Sequence, residues 1–251
     1  MRSGDYFSAA ARAYAAFRPS YPDALIRFVA DAAPGRDLAW DCATGNGQAA
    51  VPLAQWFRRV IATDASTAQL EHARPSARVE YRIAPEAASG LEPASADLVT
   101  VAQALHWLDL EAFYPEVQRV LKPRGVLAVW CYARCRVTPE IDRVIDWFYE
   151  ARVGRYWPPQ RAHTETGYRD FPFPFDELPP GTWTMTATLA RQELVGYFGT
   201  WSSVAVARET EQKDPIPDLE ARLARVWPTA SERRSVTWPL TLRIGRSRRF
   251  P

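Results

Sequence analysis

The stretch from Leu38 to Ala50 constrains this chain most, because it joins an apolar run to a helical pattern through a turn that contains glycine. It reads L-A-W-D-C-A-T-G-N-G-Q-A-A, with Gly45 and Gly47 in the turn. Glycine lets the backbone approach a ligand closely, and the first turn of a helix offers free N–H groups. The next apolar run ends in Asp64, where an acid can accept hydrogen bonds from ribose hydroxyls. We therefore expect a nucleoside-containing cofactor at this turn.

Two kinds of cofactor fit the turn. Gly45-x-Gly47-x-x-Ala50 matches the G-x-G-x-x-[GA] pattern of dinucleotide sites. Asp41 precedes the first glycine, and a carboxylate there suits a cationic amino-acid ligand but would repel a pyrophosphate. Asp41 therefore favours a cofactor that carries an amino acid. A plain strand-to-helix turn without a ligand is the remaining alternative.

Composition limits the classes of function. A chain of 251 residues suits one α/β domain with an elaboration. Its net charge of +2, with only two lysines (Lys122 and Lys213), gives no electrostatic case for nucleic acid. The three cysteines form neither a disulfide framework nor a metal spacing, and the sequence shows no apolar signal region or membrane span. We expect a soluble, cytoplasmic monomer or homodimer with no metal, nucleic-acid or membrane partner.

Apolar runs alternate with helical patterns over the first half of the chain. Strands are predicted at 38–41, 59–64, 79–83, 96–102 and 125–130, and helices at 5–18, 22–32, 48–57, 66–73 and 110–120. This alternation predicts a parallel sheet with right-handed crossovers, and it places ligands at the carboxyl ends of the strands.

The regular alternation of strand and helix patterns ends after Tyr132. The pattern predicts helices at 139–153, 192–204 and 217–226, and strands at 182–189 and 235–244. Between them lie segments dense in proline and aromatic residues, at 156–161 and 171–175. Such segments cannot form a central strand, and they are too apolar for a disordered linker. We therefore expect a packed cap.

Three motifs resemble those of the class I S-adenosylmethionine (SAM) methyltransferases. Asp41-x-x-x-Gly45-x-Gly47 resembles their first motif, although Ala43 stands where the family usually has a glycine. The segment 97–107 resembles their fourth-strand motif. Residues 119–130 resemble the R-x-L-K-P-G-G lead into strand five, with Arg124 in place of one glycine. Together with segments 7–14 and 18–22, these motifs resemble the methyltransferase type 11 branch that includes trans-aconitate-methyltransferase-like proteins.

The pattern and the resemblance together predict an α/β fold. We expect a Rossmann-like, mostly parallel seven-stranded sheet flanked by helices, with a helical and aromatic cap inserted after strand five. The expected layout is a single domain. Residues 1–36 form N-terminal helices over the cofactor and 37–132 the SAM-binding core. Residues 133–230 form a substrate cap with a late strand, and 231–251 a closing strand and tail.

The resemblance implies SAM as cofactor and S-adenosylhomocysteine as product. Residues 43–47 would pass beneath the methionine part, and Asp64 would hold the ribose. The implied cofactor-binding residues are Tyr14, Arg18, Asp41, Ala43, Gly45, Gly47, Gln48, Asp64, Ala65, Gln69, Ala84, Glu86, Gln103 and Ala104. Tyr14 and Arg18 would close over the methionine carboxylate, and Gln103 with Ala104 would lie under the sulfonium. Four of these have simpler alternatives: a helix cap for Asp64, a solvated turn for Glu86, helix packing for Tyr14 and a surface charge for Arg18.

The acceptor site is expected around His106 and Trp107, which follow the fourth strand. The alternative is a histidine whose hydrogen bonds are satisfied within the protein beside an aromatic residue of the core. A carboxylate acceptor needs no base, whereas a phenol or amine would benefit from His106 as the catalytic proton acceptor. Trp157, Arg161, Tyr168 and Arg169 combine flat apolar surface with cationic groups suited to carboxylates; from this set Trp157 and Arg161 are predicted as substrate residues.

We therefore predict methyl transfer to a small carboxylate or acidic hydroxyl. The alternatives are a SAM-binding protein without transferase activity and an NAD-linked oxidoreductase. Nucleic-acid methylation is disfavoured, because the sequence has no Asn/Asp-Pro-Pro-Tyr tetrapeptide.

Overall fold

The computed structural model describes residues 19–248, and these residues divide into two compact units. The core unit comprises 20–133, 163–183 and 240–248, and the second unit comprises residue 19, 134–162 and 184–239. The predicted helix at 5–18 lies outside the described residues. The expected division into cofactor core and substrate cap stays a prediction about function.

The core unit is built on a sheet whose first five strands run parallel. The strands of the molecule are β1 (Leu38–Cys42), β2 (Arg59–Asp64), β3 (Val79–Ile83), β4 (Ala96–Ala102), β5 (Leu121–Tyr132), β6 (Asp176–Glu177), β7 (Trp183–Ala190) and β8 (Arg233–Arg246). Their order is β3-β2-β1-β4-β5-β8-β6. Strands β1, β2, β4 and β5 are buried along nearly their whole length, as expected for parallel strands covered on both faces.

The predicted Rossmann-like, mostly parallel sheet is confirmed, with eight strands instead of seven. β8 pairs antiparallel with β5, from Val126 opposite Arg246 to Tyr132 opposite Leu240. The additional strand, β6, is only two residues long and pairs with the end of β8. A strand this short has no periodicity from which it could be predicted.

The helices within the described residues are α1 (Asp23–Ala32), α2 (Ala50–Leu53), α3 (Thr67–Leu70), α4 (Leu110–Val120), α5 (Pro139–Trp147), α6 (Arg191–Gly199), α7 (Ser202–Glu211) and α8 (Ile216–Val226). The predicted helix at 48–57 is reduced to the single turn of α2. Pro52 has no N–H to donate to the Gln48 carbonyl, and residues beyond Leu53 continue as irregular turns. The predicted helix at 192–204 is two helices, α6 and α7, which are separated at Thr200 and Trp201.

The second unit has an aromatic core of its own. Phe148, Phe198 and Trp201 are buried with ring centroids 4.7–6.1 Å apart. Arg152 forms two parallel hydrogen bonds of 3.0 Å to the Glu211 carboxylate, which joins the segment after α5 to α7. β7 pairs with β8. Within residues 19–248, none of the helices has the length and apolar character to cross a membrane.

Candidate functional site

The turn that follows Asp41 lies at the carboxyl ends of β1, β2 and β4, and side chains from all three strands contact one another or the turn. Asp41 lies beside Thr100 in the parallel register of β1 and β4, and its Oδ1 accepts a hydrogen bond of 2.6 Å from the Thr100 hydroxyl. Its Oδ2 accepts a hydrogen bond of 2.6 Å from Thr44 in the turn. Burial raises the pKa of Asp41 to about 6, although these threonine hydroxyls oppose the rise. Asp41 therefore fixes the turn to β4 from inside the protein.

The turn itself has three residues with left-handed backbone. Ala43 has a φ of +53°, Gly45 one of +57° and Gly47 one of +85°. The turn therefore forms with alanine at the position where the family usually has glycine, at a cost of roughly 1–2 kcal/mol for the side chain. At Gly47 a Cβ atom would lie 2.1 Å from the Tyr81 hydroxyl. Packing against Tyr81 thus requires glycine at 47, a contact that the sequence did not reveal.

Asp64 connects this turn to the loop after β2. One carboxylate oxygen accepts a hydrogen bond of 2.8 Å from Gly45 N, and the other accepts one of 2.8 Å from Ser66 N. The side chain that caps α3 is that of Ser66, which accepts from Gln69 N. Burial raises the pKa of Asp64, and the two N–H groups partly oppose that rise. Each oxygen has a second lone pair, so the carboxylate can also accept hydrogen bonds from two ribose hydroxyls.

Two buried side-chain donors in the turn have no partner within residues 19–248. They are Asn46 Nδ2 and Gln48 Nε2. A buried donor without an acceptor costs about 1–3 kcal/mol, so such atoms indicate a missing acceptor. Gln69 is also buried, and its Oε1 would lie 3.6 Å from a Cβ placed on Gly45. Unpartnered donors in the turn that Asp64 holds through Gly45 N fit a ligand that carries both acceptors and hydroxyl groups.

The loops after β2 and β3 adjoin the same edge. Ala65 is exposed, and Ala84 N donates a hydrogen bond of 3.1 Å to the Asp64 carbonyl. Glu86 accepts a hydrogen bond of 3.1 Å from Asp109 N, just before α4. The Glu86 side chain is therefore held by the backbone and is not merely solvated.

At the end of β4 the chain makes a tight change of direction. Gln103 has a φ of +57°, and its Oε1 accepts a hydrogen bond of 2.7 Å from Tyr132 N on β5. Its own N–H donates to the Trp130 carbonyl at 2.8 Å. Ala104 is nearly buried and leads into a 3₁₀ turn at Leu105–Trp107. The Gln103 amide thus ties β4 to β5, a role that its sequence position did not indicate.

His106 lies in this turn and is buried. Its ring centroid is 4.7 Å from that of Trp107, and its Nδ1 is 2.9 Å from the hydroxyl oxygen of Tyr168. Tyr168 was grouped with Trp157 and Arg161 from sequence, but it belongs to the core unit, whereas those two residues belong to the second unit. The structure therefore splits the predicted aromatic and arginine group between units.

Trp157 and Arg161 are neighbours within the second unit. The Arg161 guanidinium carbon lies 5.4 Å from the centre of the Trp157 ring, and the Tyr149 ring lies 4.9 Å from it on centroids. Tyr14 and Arg18 lie outside the described residues. In the part of the chain that the structure covers, no three His, Cys, Asp or Glu side chains are grouped to hold a metal ion, and the three cysteines are buried free thiols.

A parallel sheet whose first strand ends in this glycine turn, with an acid at the end of the second, defines a Rossmann-like cofactor-binding protein. Known proteins give the class more closely. A family model described as a methyltransferase domain matches residues 40–129. A protein named as a methyltransferase from Dictyostelium discoideum is 33% identical over 229 residues, which span 90% of this chain and 87% of that protein.

Two further relatives agree. The structure of a protein described as a type II methyltransferase from Anaeromyxobacter dehalogenans is 43% identical, with a TM-score of 0.86 over 92% of this chain and 98% of that one. A protein named as a SAM-dependent methyltransferase from Saccharomyces cerevisiae is 33% identical over 124 residues, which are 46% of this chain and 43% of that protein. This chain belongs to the class I SAM-dependent methyltransferases. Its place in the trans-aconitate-methyltransferase-like branch stays a prediction.

Proposed function

We propose that this methyltransferase moves the methyl group of SAM to an oxygen atom of a small molecule, either a carboxylate or an acidic hydroxyl. The observation that carries the proposal is His106, a buried imidazole in the turn after β4 whose Nδ1 is hydrogen-bonded to the Tyr168 hydroxyl. The acceptor atom must approach the carboxyl ends of these strands, where the turn residues lie.

The cofactor, when bound, supplies a methyl group on a positively charged sulfur. The transfer neutralises charge, so a negatively charged oxygen needs mainly proximity and alignment. A hydroxyl acceptor must also lose its proton, and we assign that proton to His106. Imidazole is the side chain that most often serves as a proton acceptor in catalysis.

The residues that would hold the cofactor are those of the turn and of the strand that follows it. The Asp64 carboxylate would accept hydrogen bonds from the ribose, and the unpartnered donors of Asn46 and Gln48 would meet acceptor atoms. The expected roles of Ala65, Ala84 and Glu86 near the adenine also remain part of this proposal.

Trp157 and Arg161, the acceptor residues predicted in the second unit, form a separate part of this proposal with a test of their own. An arginine beside an indole ring combines a charged fork for a carboxylate with flat apolar surface, as Arg161 and Trp157 do. We propose that they contribute to acceptor affinity, with no role in the chemical step. Absence of nucleic-acid and membrane partners, a cytoplasmic location and a monomeric or homodimeric state are likewise retained as predictions.

The test is a transfer assay with methyl-labelled SAM and a panel of small carboxylates, phenols, amines and RNA. We expect label on a small acid or phenol. His106→Ala should abolish transfer to a phenol yet retain transfer to a carboxylate, whereas Arg161→Ala should raise the KM for the carboxylate. Label on RNA or protein, with none on any small acid or phenol, would overturn the proposed acceptor class.

A further inference from the structure

The segment 163–183 returns to the core unit after an excursion through the second unit, and it brings Tyr168 to His106. The two rings are stacked at 30°, with centroids 5.9 Å apart. The Tyr168 ring also stacks on the ring of Phe171, with centroids 5.8 Å apart and an interplanar angle of 17°. The Tyr168 side chain is fully buried, so its hydroxyl must be paired inside the protein.

Tyr168 holds an unfavourable backbone conformation at this place. Its φ is +63°, which costs a bulky L-residue roughly 1–2 kcal/mol. The preceding Gly167 has a φ of +62°, and a Cβ there would lie 2.6 Å from Thr241. Strain of this kind persists only where surrounding contacts impose it, and it concentrates at functional sites.

Arg243 on β8 supplies those contacts. Its Nη1 donates hydrogen bonds to the carbonyl groups of Tyr168, at 2.7 Å, and Phe171, at 2.9 Å. Its Nη2 donates to the Glu177 carboxylate at 2.9 Å. The sheet therefore fixes the backbone of Tyr168 while the phenol side chain reaches His106.

We propose that Tyr168 is a positioning residue whose hydroxyl determines which ring nitrogen of His106 carries the proton. A phenol hydroxyl can donate or accept. When the Tyr168 oxygen accepts from Nδ1–H, Nε2 is the unprotonated nitrogen of the neutral ring, which is the state that His106 needs in order to take a proton. The proposal rests on the proposed role of His106 as proton acceptor. Packing alone would need the ring of Tyr168 but not its hydroxyl.

The first test reads the imidazole directly and needs no acceptor. The chain has three histidines, so nitrogen-detected NMR of the full-length protein with S-adenosylhomocysteine can follow each ring, with His106 assigned from the signal lost in His106→Ala. We expect one dominant tautomer of His106 in the wild type and a changed tautomer population and titration midpoint in Tyr168→Phe.

The matched control is Tyr114→Phe. Tyr114 is also a buried tyrosine of the core unit, and its hydroxyl donates a hydrogen bond of 2.7 Å to the Pro172 carbonyl, in the same segment as Tyr168. Removing this hydroxyl should leave the His106 signals unchanged. Identical His106 signals in wild type and Tyr168→Phe would overturn the proposal, and so would an equal change in both tyrosine variants.

The second test is kinetic and uses a phenol accepted in the transfer assay. Tyr168→Phe should lower kcat about tenfold and move the pH profile, with the KM for SAM unchanged. If His106→Ala loses transfer but Tyr168→Phe keeps full transfer, the proposed role of Tyr168 is refuted and the proposed role of His106 stands. Full transfer to the phenol in His106→Ala would instead refute the proposed role of His106.

Discussion

At the scale of single residues, the two aspartates at the strand ends differ in what surrounds them. Asp41 is wholly buried and bonds to two threonine hydroxyls, whereas Asp64 is partly exposed and bonds to two backbone N–H groups. Neutral donors leave Asp41 with a raised pKa, since they do not offset the loss of hydration. Asp41 thus shapes the turn, and Asp64 faces the edge where a ligand can reach it.

The first prediction concerns Asp41 and pH. The folded protein holds the pKa of Asp41 at about 6 against an ordinary 3.8, so folding favours the protonated form. The stability from this group is present below about pH 4 and is lost as pH rises through 6, by about 3 kcal/mol. Asp41→Asn, which mimics the protonated shape, should lack that loss. In urea unfolding at pH 4 to 8, the free energy of unfolding of Asp41→Asn should increase relative to that of the wild type as pH rises. A difference between the two proteins that does not change with pH would contradict this.

The second prediction concerns Asp64. Asp64→Ala removes the acceptor of the Gly45 and Ser66 N–H groups and the proposed ribose contact. We expect SAM affinity to fall tenfold or more, since hydrogen bonds to charged groups contribute about 1.5–3 kcal/mol. Asp37→Ala is the control, because Asp37 is an exposed aspartate just before the start of β1, at the opposite end of the parallel strands. Calorimetric titration with SAM should separate them; equal affinity in Asp64→Ala and wild type would refute the ribose role.

At the scale of elements, the glycine turn combines backbone strain with close packing. Gly47 and Gly90 both have positive φ, but a Cβ at 47 would meet the Tyr81 hydroxyl at 2.1 Å, whereas one at 90 would meet only Arg82, at 4.0 Å. The two positions therefore share the cost of a left-handed side chain and differ in the clash.

From this difference we predict that Gly47→Ala is more destabilising than Gly90→Ala. The control should lose roughly 1–2 kcal/mol for its φ, and Gly47→Ala should lose more because Tyr81 must move. Tyr81→Phe removes the nearest atom but also the hydrogen bond of 2.7 Å from Tyr81 to the Arg74 carbonyl, so the reference for the double variant is Tyr81→Phe alone. In that background Gly47→Ala should cost less than it does in the wild type. Chemical denaturation of the wild type, the two glycine variants, Tyr81→Phe and the double variant measures this, and equal losses for the two glycine variants would show that Tyr81 does not constrain the turn.

The same elements show which features of the fold and of the candidate site can be predicted from the sequence. Strands 59–64, 79–83 and 96–102 were predicted with the bounds that the structure has. Apolar runs between polar turns, or in 79–83 the alternation of apolar and charged residues, are a local signal. The Asp41–Thr100 contact depends on the register of β1 against β4, and the His106–Tyr168 contact joins residues far apart in the chain. Neither pairing has a local pattern, so the chemistry of His106 could be proposed from sequence but its partner could not.

At the scale of the whole molecule, each of the two units is built from separate segments of the chain. The chain leaves the core unit after 133, returns for 163–183, and returns again at 240. The first half carries the family motifs, and a family model accordingly matches residues 40–129. The returning segments supply Tyr168, which is hydrogen-bonded to His106, and Arg243, which holds the Tyr168 backbone, so these contacts depend on residues that lie outside the matched region.

The most direct measurement of the central claim is the binding of cofactors to the full-length chain. A thermal-shift and calorimetric series with SAM, S-adenosylhomocysteine and NAD should show one site for each of the first two. A hundredfold excess over Kd should stabilise the protein by about 2.7 kcal/mol, with no effect of NAD. Stabilisation by NAD with no response to SAM or S-adenosylhomocysteine would contradict the account.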